Sequence, residues 1–308
     1  MIWEKLGQVY FSDSKYDWQY NSALTPTPVV FEDKIRIYCG FRDKNGVSRI
    51  GFVDLDKNDP TKIIRVSDKP ALDIGNDGCF DDNGVILGDV VWHGKELRMY
   101  YVGFQLPKKV KFMAFTGLAI SYDNGETFIR TQETPILERV ENGKFIRAIH
   151  TVLFEDDIWK VWFATGNGWE IINGTPYPKY HINYLESNDG VKDFKNETVC
   201  IQNINDEYRI GRPRVYKLGE SYFCIYTKGT IHGEYSPGLA ISKDGINWTR
   251  QDSLLNLGPS EIGWDSETLC YPALFTTNSG EYAVYNGNNM GEAGFGLLRF
   301  KTQEIKLK

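Results

Sequence analysis

Alternating apolar and polar residues recur in five segments of the chain, and each segment ends in an aromatic residue closely followed by glycine. The segments are KIRIYCG, ELRMYYVG, IWKVWFATG, SYFCIYTKG and EYAVYNG, with Tyr38, Tyr101, Phe163, Tyr226 and Tyr285 as their aromatic residues. Successive aromatic residues are 63, 62, 63 and 59 positions apart. Alternation with a period of two is typical of strands, and a fixed spacing indicates repeated structural units. The pattern therefore predicts five similar β units.

Each of these segments is flanked by two further segments with strand character. A short apolar stretch precedes it (PVVFED, DVVWHG, TVLFED, RVYKLG, PALFTTNSG), and a third one follows (SRIGFVDLD, TGLAISYD, HINYLESND, PGLAISKD, FGLLRFKT). A single small sheet of this kind cannot bury both faces, so it must pack against its neighbours. The predicted fold is an all-β, five-bladed β-propeller, a single domain over residues 1–308 whose blades have four antiparallel strands.

A propeller ring must also close, because an open ring exposes strand edges that invite aggregation. The N-terminal segment WEKLGQVYF has strand character, and we expect it to form the outer strand of the last blade. After three of the third strands come SYDNGETF, SNDGVKDF and SKDGINW. An aspartate near a glycine caps such turns, which makes Asp123, Asp189 and Asp244 structural turn residues rather than catalysts.

The composition excludes several classes of protein. With 308 residues, 41% hydrophobic, the chain is neither disordered nor stapled by disulfides, and its five cysteines are scattered without a CxxC pair, which favours free thiols over a zinc site. A net charge of −6 argues against nucleic-acid partners. No apolar run is long enough to cross a membrane, and the N-terminus lacks a secretory pattern. We expect a cytoplasmic protein with no membrane partner.

Strand direction locates the candidate binding face. In a propeller blade, the loop that enters the first strand and the loop that leaves the second lie at the same end of the ring, around the axial pocket. Residues in these loops are therefore candidates for ligand binding. The substrate-binding candidates are Asn21, Arg42, Asp81, Arg147, His150, Trp169, Arg212, Arg214, Lys228 and Tyr271.

The candidate face is rich in cations although the chain as a whole is acidic. Arginine forks match carboxylate and phosphate groups, so these side chains favour a ligand with an anionic group. RIGRPRV is notable because Arg212 and Arg214 flank a proline at the head of a first strand. The alternative is that about half of the cations pair with nearby carboxylates, such as Asp43, Asp81, Glu207 and Asp265, and only tie the blades together.

Two carboxylates on this face suit acid–base chemistry. Asp82 in CFDDNGVILG and Glu267 in WDSETLCYP are the candidate catalytic residues. Burial near the axis raises the pKa of a carboxyl group and neighbouring cations lower it, a combination that is typical of catalytic sites.

The repeat, the GLAISKDGINW segment and the aromatic–glycine strand ends resemble the five-bladed propellers of glycoside hydrolase families 32, 43, 68 and 130 over nearly the whole chain. This resemblance implies activity at a glycosidic bond, for which those families place acidic residues at the heads of first strands. The equivalent positions here are Thr27, Gly88, His150, Pro213 and Tyr271, so the usual catalytic carboxylates do not transfer.

Three functions remain open. The first is a glycosidase or glycoside phosphorylase that acts on a glycosidic or sugar-phosphate bond of an anionic ligand, such as a phosphorylated or nucleotide-linked sugar. The second is a non-catalytic carbohydrate-binding propeller, which the missing acidic strand heads suggest. The third is a sialidase-like hydrolase. No cofactor is predicted, although such propellers have room for an axial metal ion.

Overall fold

The computed structural model describes residues 1–233 and 235–301. Twenty strands and three short helical turns make up the regular structure of these residues, which confirms the all-β prediction. Residues 302–308 of the predicted domain, including the end of its last strand segment, lie outside the described residues. Among the described residues, no helix is long and apolar enough to cross a membrane.

The strands form three hydrogen-bonded sheets, of 4, 12 and 4 strands, and two short parallel pairings join parts of the largest one. The antiparallel pairings divide the strands into five groups, which we call units 1 to 5. Unit 1 contains β2 to β5, at Asn21–Val30, Lys34–Arg42, Ser48–Asp56 and Ile63–Val66. Unit 2 contains β6 to β9, at Val85–His93, Glu96–Gln105, Met113–Ser121 and Ile129–Arg130. Unit 3 contains β10 to β13, at Ile146–Glu155, Ile158–Ile172, Thr175–Ser187 and Lys195–Ile201. Unit 4 contains β14 to β17, at Glu207–Leu218, Ser221–Thr230, Ser236–Ser242 and Trp248–Arg250.

Unit 5 combines the two ends of the described chain. It contains β18 to β20, at Cys270–Thr277, Gly280–Asn286 and Phe295–Phe300, and β1, at Trp3–Tyr10, pairs antiparallel with β20. The N-terminal segment therefore forms the outer strand of the last unit, as the sequence predicts. The helical turns are a 3₁₀ turn at Asp17–Gln19, α1 at Asp252–Leu255 and α2 at Asn288–Gly291.

The first strands of the five units follow one another around a common centre. β2 contacts β6, β6 contacts β10, β10 contacts β14, β14 contacts β18, and β18 contacts β2. The hydrophobic core lies between neighbouring units, and one cluster joins Phe52 of unit 1 to Met99 of unit 2 while another joins Ile37 of unit 1 to Val284 of unit 5. All five aromatic residues of the repeat are fully buried on the second strands. Burial of these faces against neighbours is the main stabilising contribution.

The predicted turn residues cap their turns. Asp123 accepts a backbone hydrogen bond from Thr127, and Asp244 accepts two, from Ile246 and Asn247. Asp189 likewise accepts hydrogen bonds from two backbone N–H groups in its own turn. These carboxylates have structural roles, as the sequence indicates.

Every first strand is interrupted by a bulge at the same level. The pairing with the second strand skips residues between Leu24 and Thr27, Leu87 and Asp89, Ile149 and Thr151, Gly211 and Arg214, and Cys270 and Ala273. Bulges re-aim side chains and often lie beside functional sites. The residues at the bulges are Thr25 and Pro26, Gly88, His150, Arg212 and Pro213, and Tyr271 and Pro272.

Gly88 is the one bulge position where close packing admits no side chain. A Cβ at this position would overlap the carbonyl oxygens of Ile149 and Tyr100. We expect Gly88→Ala to lower the free energy of unfolding by about 2 kcal/mol, because the backbones of two first strands would have to move apart. Gly258→Ala is the matched control, since its Cβ would meet no atom within 4 Å. Urea unfolding of both variants measures the difference, and equal stability would show that β6 and β10 do not need this close approach.

Candidate functional site

A cavity of about 380 Å³ lies where the five first strands meet. Each first strand contributes to its lining, through Thr25, Ile86, His150, Arg212 and Tyr271. Its size falls within the range of small-molecule binding sites, which are usually concave and largely preformed. This central cavity is the candidate functional site.

Three arginines line the central cavity: Arg42 at the end of β3, Arg209 near the start of β14, and Arg212 in the β14 bulge. Arg42 makes no side-chain hydrogen bond or ion pair with any described residue, although burial lowers the pKa of its guanidinium group. Tyr271 and Glu292 act on this cation only through space, so an incoming anion that bonds to it would stabilise it further. Arg42 is therefore free to bind a ligand.

Arg212 is fixed in place by backbone carbonyl groups. Its side chain is 3% exposed and donates hydrogen bonds to the carbonyl oxygens of Leu87, at 2.7 Å, and Thr25, at 2.8 Å, and to the Thr27 hydroxyl group. Burial and the neighbouring Arg214 guanidinium group lower its pKa. No described carboxylate is hydrogen-bonded to it, although the Asp89 carboxylate acts on it through space.

Tyrosines surround Arg209 on the same side of the cavity. The Arg209 guanidinium carbon lies 3.8 Å from the ring centroid of Tyr235, whose hydroxyl group is 3.0 Å from that of Tyr180. The ring of Tyr271 lies 5.6 Å from the Tyr235 ring. Aromatic rings with polar tips suit sugar rings, which present both C–H faces and hydroxyl groups.

Four polar atoms on the cavity lining are buried and lack hydrogen-bond partners among the described residues. They are Thr25 Oγ1, His150 Nδ1, Arg209 Nε and Arg212 Nε. Buried polar groups are nearly always hydrogen-bonded, so a cluster of unpaired ones needs an explanation. These four atoms are almost completely shielded, so a polar ligand in the cavity would bond them only after the lining side chains move.

Backbone strain is concentrated at the same place. Thr25, Arg212 and Tyr271 have positive φ angles of 49°, 49° and 57°, and each directly precedes a proline. Such conformations are costly for residues other than glycine and cluster at functional sites. The bulges that carry these residues aim them at the cavity.

His150 is a neutral hydrogen-bonding group in this cavity. Burial and the guanidinium groups of Arg212 and Arg214 hold its pKa well below 6.5. A cation would meet the same two positive charges, so these residues do not fit the axial metal ion that such propellers can hold. The described residues contain no group of three or more His, Cys, Asp or Glu side chains arranged to bind a metal.

The depressed pKa of His150 predicts a pH dependence of stability. Below about pH 6.5 the unfolded state binds a proton at this histidine and the folded state does not, so stability is present above that pH and is lost as the pH falls. We expect a slope of about 1.4 kcal/mol per pH unit between pH 6 and 5, and His150→Gln should remove it. Urea unfolding of both proteins across this pH range measures the slope. His232→Gln is the control, because His232 is exposed, and an unchanged slope in His150→Gln would contradict the expectation.

Four of the predicted binding residues are brought together by the fold: Arg42, His150, Arg212 and Tyr271 all line the central cavity. The bulges also change which residues of the first strands reach the cavity, compared with the positions that the sequence predicts. Thr27 and Pro213 occupy the predicted positions, but the residues that line the cavity are their neighbours Thr25 and Arg212. The bulges cause this shift, because each of them skips residues in the pairing between the first and the second strand.

The other predicted cations are engaged by carboxylates. Arg147 pairs with Glu197 at 3.1 Å, Arg214 with Asp89 at 2.7 Å, and Lys228 with Asp252 at 2.7 Å. None of these three cations is on the cavity lining. The alternative that some cations only tie the structure together describes these three. Lys228 also lies 3.9 Å from Glu207, a carboxylate that the sequence suggests, whereas the partners of Arg147 and Arg214 are not among the suggested ones.

The remaining predicted binding residues lie away from the cavity lining. Asp81 is buried in an ion pair with Arg130 at 2.8 Å. Asn21 accepts a hydrogen bond from the adjacent Ser22, and the Trp169 ring packs against Phe145 at 4.5 Å between centroids. Each of these side chains has a structural contact in this arrangement.

The two predicted catalytic carboxylates do not line the cavity either. Asp82 accepts hydrogen bonds from the Gly78 backbone and the Asn83 side chain, and Glu267 is exposed. The cavity lining contains no Asp or Glu from residues 1–233 or 235–301. Glycosidic cleavage by the usual route needs two carboxyl groups about 5 to 10 Å apart, which this lining does not provide.

Residues outside the predicted set also line the cavity, notably Tyr177, Tyr180 and Tyr235. The first two belong to the long hairpin of β11 and β12, which projects beyond the other strands and contacts the 106–112 loop through a Lys111–Pro176 backbone hydrogen bond. The Asn173-Gly174 pair at the tip of this hairpin is a common turn sequence, so the hairpin could have been predicted from the sequence. Tyr235 carries no comparable signal.

The chain has relatives in Mycobacterium tuberculosis. It is 31% identical over 302 residues to the uncharacterized protein Rv1502, a match that covers 96% of this chain and 98% of the relative. The uncharacterized protein MT1551 matches over the same length with the same identity. No family model matches the chain.

Solved structures show the same fold at low sequence identity. A glycoside hydrolase superposes with a TM-score of 0.70 at 17% identity, with 99% of this chain and 94% of the other covered. A thermostable family-43 glycoside hydrolase superposes with a TM-score of 0.66 at 13% identity, and the match covers 92% of this chain and 91% of that one. The GH43_1 enzyme from Xanthomonas citri, solved with xylose, gives 0.65 at 12% identity, covering 93% and 89%. The chain therefore has the propeller fold of glycoside hydrolases.

Proposed function

Because this chain belongs to the same family as the Mycobacterium tuberculosis protein Rv1502 and has the fold of glycoside hydrolases, we propose that its central cavity binds a carbohydrate with a carboxylate or phosphate group. The observation that carries this proposal is the lining itself: three guanidinium groups and several tyrosines, with no carboxylate from the described residues. Phosphorylated and nucleotide-linked sugars fit this chemistry as well as uronic acids.

The electrostatics of the lining favour an anion. Arg42 makes no side-chain hydrogen bond to a described residue, and Arg212 donates its hydrogen bonds only to neutral groups. In a partly desolvated cavity, a carboxylate or phosphate oxygen would form charge-assisted hydrogen bonds that are roughly twice as strong as neutral ones. A neutral sugar would leave these charges uncompensated.

We also propose that the five units are the blades of one closed propeller. Contacts between first strands in cyclic order support this, and so does the completion of unit 5 by β1. Closure places residues from all five units around one cavity, which explains how distant parts of the chain contribute to it.

Binding of matched sugar pairs tests the proposed ligand. In isothermal titration calorimetry, we expect glucuronic acid and glucose 6-phosphate each to bind at least about 30-fold more tightly than glucose, a difference of about 2 kcal/mol. UDP-glucose serves as the nucleotide-linked probe. Equal affinities for glucose and both acidic sugars would remove the anion from the proposal.

The fold also favours glycosidase or phosphorylase activity as a second candidate function. Its test is turnover of a panel of p-nitrophenyl glycosides with and without inorganic phosphate. The predicted catalytic roles of Asp82 and Glu267 require that Asp82→Asn and Glu267→Gln each lower the rate while the fold is kept. Binding of acidic sugars without turnover would identify a binding protein instead.

A further inference from the structure

The central cavity has two chemically different sides. Units 1, 4 and 5 contribute Arg42, Arg209, Arg212 and Tyr271. Units 2 and 3 contribute mainly apolar residues to the opposite wall, and their polar lining residues are Asn83, Lys111, His150, Tyr177 and Tyr180. This apolar wall comprises Ile86, Val102, Ala114, Ile146, Ala148 and Ala164.

Small side chains keep this apolar wall open. Ala114, Ala148 and Ala164 stand on neighbouring strands of units 2 and 3, where larger residues would fill the space. Gly211, on the adjacent β14, packs against the Tyr180 ring, since a Cβ there would lie 2.7 Å from this ring and 3.7 Å from the Ala164 Cβ. The methyl groups of the three alanines lie at the buried base of this wall, and the half-buried Ile86, Phe104 and Phe112 provide its accessible apolar surface, so we call this part of the cavity the apolar recess.

A recess of this kind is a poor environment for sugar hydroxyl groups. A buried hydroxyl group without a hydrogen-bond partner costs free energy, and the methyl groups of the apolar wall offer no partner. Water also binds poorly in apolar recesses, because it needs two to four polar partners. A hydrocarbon group in the recess would instead gain the full benefit of burial.

We infer that the ligand is amphipathic: an anionic carbohydrate that carries a short alkyl or aryl substituent, with the anion toward Arg42 and Arg212 and the substituent against the apolar wall. This inference rests on the proposed function and specifies its ligand class. Exposed Leu106 and half-buried Phe112 also line the cavity and extend the apolar surface toward solvent, so a substituent longer than the recess has a path outward.

Two pairs of probes test the inference on the unmodified protein by calorimetry. The first pair is methyl and butyl β-D-glucuronide, and the second is inorganic phosphate and butyl phosphate. Since each buried methylene is worth about a fourfold gain in affinity, three extra methylenes should tighten glucuronide binding on the order of 50-fold. Butyl phosphate should exceed inorganic phosphate by a comparable factor.

The outcomes separate the two proposals. Methyl and butyl glucuronide binding with equal affinity would overturn the amphipathic ligand and leave the acidic carbohydrate standing. Binding of butyl phosphate far above inorganic phosphate, with neither glucuronide bound, would support the amphipathic cavity and overturn the carbohydrate. Absence of binding by all four probes would overturn both.

A variant that fills the recess gives a second readout. Ala148→Val adds two methyl groups to the apolar wall, and we expect it to abolish most of the gain in affinity that butyl glucuronide has over methyl glucuronide. Ala240→Val is the matched control, because Ala240 is buried in unit 4 but not on the cavity lining. A full butyl gain in Ala148→Val would place the substituent elsewhere and contradict the inference.

Discussion

Replacing Asp89 by alanine should lower the free energy of unfolding by about 3 to 5 kcal/mol, because removal of one partner strands a buried charge. The Asp89 side chain is buried and accepts hydrogen bonds from Arg214, at 2.7 Å, and from the Val152 backbone, at 3.0 Å. It thereby connects unit 2 to units 3 and 4 near the centre. Without it, the guanidinium groups of Arg212 and Arg214 would repel each other with no described carboxylate bonded to either.

Chemical denaturation of the variant and the unmodified protein measures this effect. Asp33→Ala is the matched control, since Asp33 pairs with Lys34 but its side chain is 72% exposed, and exposed ion pairs contribute about 0 to 1 kcal/mol. A loss below about 1 kcal/mol in Asp89→Ala would show that this ion pair does not hold the centre together.

Arg42→Met should weaken binding of glucose 6-phosphate or glucuronic acid by about 2 to 4 kcal/mol, the usual effect of truncating one partner of a desolvated charge pair. Methionine keeps most of the apolar stem and removes the charge. Because the Arg42 guanidinium makes no hydrogen bond to a described residue, we expect stability to change little. Calorimetry on the folded variant therefore reports on the ligand rather than on the fold.

Arg65→Met is the matched control for this comparison. Arg65 lies on β5 at the outside of unit 1, is half-exposed, and pairs with Glu126 at 2.8 Å. Its replacement should leave acidic-sugar affinity within about twofold, because exposed charges contribute little at moderate salt. Equal losses in both variants would indicate a general effect of charge, and no loss in Arg42→Met would remove Arg42 from the site.

The sequence predicts the repeat well because the repeat rests on local patterns. Tyr38, Tyr101, Phe163, Tyr226 and Tyr285 all occupy equivalent buried positions on second strands. Strand direction also identified four residues of the cavity lining, Arg42, His150, Arg212 and Tyr271, among the ten predicted binding residues. The repeat and the strand direction are both local properties, because strands that pair within one unit are also close in sequence.

Ion-pair partners are not predictable in the same way. Arg214 pairs with Asp89, which is 125 residues away in the chain, and Arg147 pairs with Glu197 from the outermost strand of its own unit. Such choices depend on how units pack, which local patterns do not encode. Bulges have a similar consequence, since skipping residues in the pairing moved the cavity position from Thr27 to Thr25.

Tyr235 shows a further limit. It precedes β16 in a connecting segment, yet its ring packs against Arg209 and Tyr271 on the cavity lining. A connecting segment has no periodic pattern, so nothing in the local sequence indicates where its side chains lie.

A crystal structure of the protein soaked with glucose 6-phosphate tests the central claim most directly. The account predicts the phosphate inside the central cavity, with its oxygens about 2.7 to 2.9 Å from guanidinium nitrogens of Arg42, Arg209 or Arg212. A phosphate bound only on the outer surface of the units, or a sugar in the cavity with its phosphate turned away from these arginines, would contradict it.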